Sequence, residues 1–158
     1  MKTCLQMQQV VEHLAQKHGV ELSQVGVYFC LNLPGTERLY VETISARRIS
    51  VAHYFEMNGD LVPDPDVVFF ITDKGDWAPI GITQSFGGWR SYVKMRMDGN
   101  GIEAYDREGQ ADLADFADVW AQNLADQGWL ECGTCTRSSA AVAGITTAAQ
   151  WPFRLGLI

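Results

Sequence analysis

No apolar stretch in this chain approaches the ~18 residues needed to cross a bilayer; the longest candidates are Val67 to Ile71 and Ala140 to Ile145. The N-terminus also lacks the uninterrupted apolar core of a secretion signal, because Lys2 is followed by Gln6, Gln8, Gln9, Glu12 and His13. Basic charge is scarce. Twelve Lys and Arg stand against 19 Asp and Glu, a net charge of −7, which repels nucleic-acid phosphates and anionic lipid alike. Direct nucleic-acid binding and membrane association are therefore not expected. Catalytic signatures are missing too: there is no G-x-S-x-G and no H-E-x-x-H. No glycine-rich loop opens a helix, since Gly87-Gly88 leads into a strand and Gly99 and Gly101 sit in a turn. Hydrolase chemistry and nucleotide cofactors lose their usual supports, and no cofactor is expected. Four cysteines without a secretion pattern point to reduced thiols and cytoplasmic residence.

What is present is the composition of one folded domain. The chain has 158 residues, 47% apolar and 20% charged, enough to enclose a core without metals or disulfides. Residues 3 to 18 carry Cys4, Met7, Val11 and Leu14 at spacings of three and four, with Gly19 as a C-cap, so an amphipathic helix is predicted. From Val25 the period becomes two. Val27, Phe29 and Leu31 alternate with Tyr28, Cys30 and Asn32 until Pro34-Gly35, and Leu39, Val41 and Thr43 continue the alternation. A third run sets Ile49, Val51, His53 and Phe55 on one face before the turn chemistry of Asn58-Gly59-Asp60.

Val67 to Ile71 is apolar throughout, the mark of a strand covered on both faces. Trp77 to Thr83 and Trp89 to Met97 read as further strands. Turns recur with no helical pattern between them, which favours an antiparallel meander over βαβ units. The final helix spans 111 to 127, where Leu113, Phe116, Ala117, Trp120 and Leu124 form one stripe and Gly128 caps the end. The expectation is an α+β domain over residues 1–131: five or six antiparallel strands packed by an N-terminal and a C-terminal helix. Residues 132–158, rich in small side chains, form an appended tail that either packs as a further element or stays mobile.

Three polar groupings could carry function. Between Asp98 and Glu131 there are nine acids and one base, Arg107. Within that run Asp112, Asp115, Asp118 and Asp126 share the polar side of the final helix and form a candidate surface for a protein partner, since complementary fields steer such encounters. The second grouping is His53, Glu56, Asp60, Asp64 and Asp66, because carboxylates with an imidazole can hold a divalent metal; a metal-assisted enzyme is the alternative it supports. The third is Cys132-Gly133-Thr134-Cys135, which has dithiol spacing but neither the strand-to-helix context of a redox site nor the further paired ligands of a zinc site. These thiols are read as incidental. His13 and His18, on or beside the first helix, and His53 are read as structural.

Several motifs in order resemble an uncharacterised bacterial family common on plasmids, conjugative elements and phages. They are His53-Tyr54-Phe55-Glu56-Met57-Asn58-Gly59-Asp60, Pro63-Asp64-Pro65-Asp66-Val67-Val68-Phe69, Trp77-Ala78-Pro79-Ile80, Phe86-Gly87-Gly88-Trp89-Arg90-Ser91-Tyr92-Val93 and the helix Phe116 to Trp129. The resemblance runs from His53 to Leu130. It implies a setting on mobile elements, with no activity, cofactor or catalytic residue to carry over. Together with the acidic surface it makes a non-enzymatic accessory domain that binds a protein the leading expectation, with a structural subunit of a larger complex as a further alternative.

Overall fold

The computed structural model describes residues 1–138. Helix α1 (Leu5–Lys17) leads into β1 (Tyr28–Asn32), β2 (Arg38–Ser45), β3 (Arg48–Met57), β4 (Asp60–Ile71), β5 (Trp77–Gln84) and β6 (Gly88–Ser91). A separate hairpin, β7 (Val93–Met95) and β8 (Ile102–Tyr105), precedes α2 (Arg107–Asp126), the short α3 (Trp129–Cys132) and β9 (Thr134–Ser138). The main sheet is antiparallel with the order β6-β5-β4-β3-β2-β1-β9. The α+β meander is thus as expected. Among the described residues it has seven strands in place of five or six, because residues beyond Glu131 supply β9 along the outer edge of β1. The remainder of the expected tail, 139–158, lies outside the described residues.

Both helices lie on one face of this sheet. Met7, Val11 and Leu14 from α1 and Leu113, Ala117, Trp120, Ala121 and Leu124 from α2 meet Phe29, Leu31, Leu39, Val41, Ile49, Val51, Val67 and Phe69 in one buried cluster. The helical and strand periodicities converge here: spacings of three or four on the helices face spacings of two on the strands. Trp129 is fully buried within the same cluster. Gly128, at φ 87, permits the reversal that ends α2 and turns that indole inward.

The N-terminal segment is locked to the body by polar contacts. Gln110, fully buried, accepts from the Lys2 backbone N–H at 2.9 Å and donates to the carbonyls of Lys2 at 2.8 Å and Pro79 at 3.2 Å. A buried amide needs such partners, and here one side chain joins α2, the N-terminus and β5.

Val68, Phe70 and Ile80 on the other face form a second, smaller cluster with Ile44, Val93, Met95 and Ile102. The β7–β8 hairpin covers this end of the sheet, so of the predicted run Val67 to Ile71 the first four residues are buried on both sides and Ile71 is half-buried. The predicted strand Trp89 to Met97 is broken at Tyr92, whose N–H donates to Ile80 O at 2.9 Å while the Ser91 hydroxyl accepts from the Val93 N–H at 3.3 Å. The chain there leaves β5 and crosses onto the second face. Alternation alone could not show this, because an alternating pattern persists through the change of partner.

Candidate functional site

Helix α2 starts four residues earlier than its apolar stripe suggests. Asp106 caps it by accepting from the Gly109 N–H at 3.2 Å. The four candidate carboxylates on this helix separate into two pairs with different duties. Asp118 accepts from the backbone N–H groups of Gln6 at 3.1 Å and Met7 at 3.3 Å, satisfying two of the orphan donors at the start of α1. It does for α1 what a capping side chain would do, since Cys4 at the N-cap makes no side-chain cap bond. Asp115 pairs with the Lys2 ammonium. Both acids therefore lean toward the N-terminal segment and α1.

Asp112 and Asp126 point away from the body. Asp112 is exposed, and Asp126 accepts from Gln122, one turn back on the same helix, at 2.9 Å. Between them on the outer surface lies Val119, 62% exposed, with Phe116 beside it at 39%. Phe116 was expected in the buried stripe; it sits at the rim, its ring 6.3 Å from Trp120. No basic residue follows Arg107 anywhere on α2. The outer face is thus acidic with an apolar centre.

The His53, Glu56, Asp60, Asp64 and Asp66 grouping does not converge. His53 faces the helices, its ring centroid 5.5 Å from that of Trp120 and 5.7 Å from that of Trp129, with Nδ1 3.3 Å from Arg38 O. Burial lowers its pKa from the usual 6.5. Asp66 lies on the opposite face, where it accepts from the Ser50 hydroxyl at 2.6 Å. Asp64 accepts from the Ser85 hydroxyl at 3.0 Å, and Glu56 and Asp60 are exposed near the end of the β3–β4 hairpin. Strand alternation separates what the sequence sets close together: a sheet stands between the imidazole and the half-buried Asp66 carboxylate. Among the described residues no three His, Cys, Asp or Glu side chains are placed to hold a metal ion.

The cysteines divide by burial. Cys4 and Cys30 are buried, Cys132 and Cys135 exposed. Burial, with the charge of Asp118 nearby, pushes the Cys4 thiol up to about 12, and its Sγ lies 3.4 Å from Trp77 O. Cys132 closes α3 and Cys135 sits on β9, so the pair lacks the helix N-terminus that activates the first thiol of a dithiol site. An open groove of about 440 Å³ runs beside α1, floored by Ile49, Ile71 and Trp77 and rimmed by Glu12 and Glu21. Among the described residues no helix is long and apolar enough to cross a membrane.

Residues 8–130 match a family described as Domain of unknown function (DUF6908). The chain belongs to this family. The match reaches from within α1 through α2 to Leu130, so the family unit is the helix-covered meander, and it starts well before the motifs from His53 onward that carry the resemblance. No curated protein and no solved structure matches the chain.

Proposed function

We propose that this DUF6908 domain is a non-enzymatic, protein-binding accessory domain that uses the outer face of α2. One observation carries the reading: Asp112 and Asp126 flank an exposed Val119 on a helix with no base beyond Arg107. An apolar centre within a charged rim is the pattern of a docking site, and the acidic rim selects a partner with basic residues around an apolar recess. Asp115 adds to this field while engaged by Lys2, whereas Asp118 serves α1.

The proposed setting is the cytoplasm of a bacterium carrying a plasmid, conjugative element or phage. The resemblance supports the mobile element, and the buried free thiols Cys4 and Cys30 suit a reducing compartment. A permanent subunit of a larger complex would use the same face. The test is affinity capture from the source host, comparing the intact chain with the triple variant Asp112→Asn, Asp126→Asn, Val119→Ser. Loss of a specific, salt-sensitive partner supports the reading; equal recovery of that partner by both proteins overturns it.

A further inference from the structure

We infer that the ends of the β3–β4 and β5–β6 hairpins form a second docking surface, shaped for a cationic protein segment that carries an apolar anchor. The register shows how this surface is built. β5 pairs with β4 only as far as Asp66 opposite Thr83, and β2 with β3 only as far as Arg38 opposite Tyr54, so residues 55–57 and 60–62 continue beyond both neighbours as a two-stranded arm. The β5–β6 turn reaches the base of the arm, where the Ser85 hydroxyl donates to Asp64 at 3.0 Å. That bond ties the turn that carries Phe86 to the base of the arm.

Large apolar side chains at this end remain in water: Phe86 is 99% exposed, Leu61 43% and Trp89 41%, while Met57, 48% exposed, lies opposite Asp60 and so points to the other face of the arm from Leu61, which lies opposite Glu56. None belongs to either buried cluster. A Phe left wholly in solvent contributes nothing to folding, and grouped exposed apolar residues mark interaction sites. A two-stranded arm is itself only marginally stable without something to pack on. Trp89, on the neighbouring β6, lies over Gly81, where any Cβ would fall 2.4 Å from the indole; the glycine keeps the root of the β5–β6 hairpin flat against its partner strand.

Charge chooses the occupant. Glu56 and Asp60 are exposed at the tip of the arm, one on each face, Asp64 is exposed at its base, and residues 53–66 and 77–89 contain no Lys or Arg. The nearest bases in register, Arg38 and Arg90, lie opposite Tyr54 and Ile82, farther down the sheet. Such a field repels anionic lipid and nucleic acid, and it opposes a second copy meeting tip to tip. It attracts a Lys- or Arg-bearing segment whose aliphatic or aromatic side chain can cover Phe86 and Leu61. This surface is separate from the outer α2 face, and the two can fail independently.

The test uses the full chain and a phage-displayed library of random peptides, with enriched peptides synthesised and titrated by calorimetry. Expected are sequences combining Lys or Arg with Leu, Phe or Trp, whose affinity drops at least tenfold in the Phe86→Ser, Leu61→Ser variant. Glu56→Gln with Asp60→Asn weakens binding several-fold and flattens its salt dependence. Asp112→Asn with Val119→Ser leaves it unchanged. Because the substituted tip residues are exposed, equal thermal melts establish that the variants are folded. The inference is overturned if no peptide is enriched, if the enriched peptides lack basic residues, or if they bind the Phe86→Ser, Leu61→Ser variant undiminished. Loss of binding in the Asp112→Asn, Val119→Ser variant assigns the peptides to α2 and also overturns it. So does a wild-type dimer in light scattering that the tip variant dissolves, which would make a second copy the occupant.

Discussion

The helix-covered face of the sheet and its hairpin end are built from the same strands and use apolar residues in different ways. Under α1 and α2, Phe69, Leu39 and Trp129 are withdrawn from water completely. Along the same β4, Leu61 stands in solvent, and Phe86 just beyond β5 is almost wholly exposed. Local sequence does not distinguish them, because both sets alternate or follow turns. What differs is the presence of a covering layer. Side chains under the helices hold the domain together, while those at the tips leave the stability nearly untouched and are available for contact.

Four measurements would break or sharpen this contrast. The largest effect is expected at Trp129, buried at the junction of α2, α3 and the sheet: Trp129→Ala should cost about 3–5 kcal/mol in urea unfolding. That is a large share of the roughly 5–15 kcal/mol typical of a domain. A loss below about 1 kcal/mol would mean the helix-covered face is not the stabilising one. Next, Asp118→Ala should cost about 1 kcal/mol, the size of a lost helix cap. Asp112→Ala, on the outer side of the same helix, should stay within about 0.5 kcal/mol. Equal losses would erase the division between structural and surface acids.

The third effect depends on pH. Burial against two indoles lowers the His53 pKa below 6.5, so around and below that value the unfolded chain binds more protons than the native one. Stability is then complete above pH 6.5 and declines as pH falls through it toward the native pKa. His18 is lowered by burial in the same direction. Unfolding free energies followed from about pH 7.5 to pH 5 should therefore fall less steeply in His53→Gln than in the wild type. Parallel curves would show that the imidazole gains nothing from staying neutral. The smallest effect is expected at the tips, where Phe86→Ser should change stability by less than about 0.5 kcal/mol. A clear loss would place Phe86 among the folding residues and remove it from the docking surface.

Much of the body was legible in the sequence. The spacing of Cys4, Met7, Val11 and Leu14 predicts α1, and every one of those side chains is buried. The continuous run Val67 to Ile71 predicts a strand covered on both sides, which the two clusters provide for Val67 to Phe70, with Ile71 half-buried at the edge. The site was less legible. Asp118 and Asp112 look alike on a helical projection, and only the approach of Gln6 and Met7, more than a hundred positions away, gives Asp118 its duty. His53 and Asp66 are near in sequence, yet their strands direct them to opposite faces. Residues 134–138 carry no strong strand pattern, and the open edge of β1 recruits them.

The sequence by itself determined the elements and the sign of the surface: helical and strand periods, the turns that separate them, and the excess of carboxylates. Periodicity is a property of neighbouring residues, so a short window of chain suffices to express it. Only the tertiary structure decided which acids are consumed in holding α1, which face β7 and β8 cover, and which apolar side chains remain in water. Those outcomes depend on what arrives from distant parts of the chain, because a side chain is buried only where another layer comes to meet it.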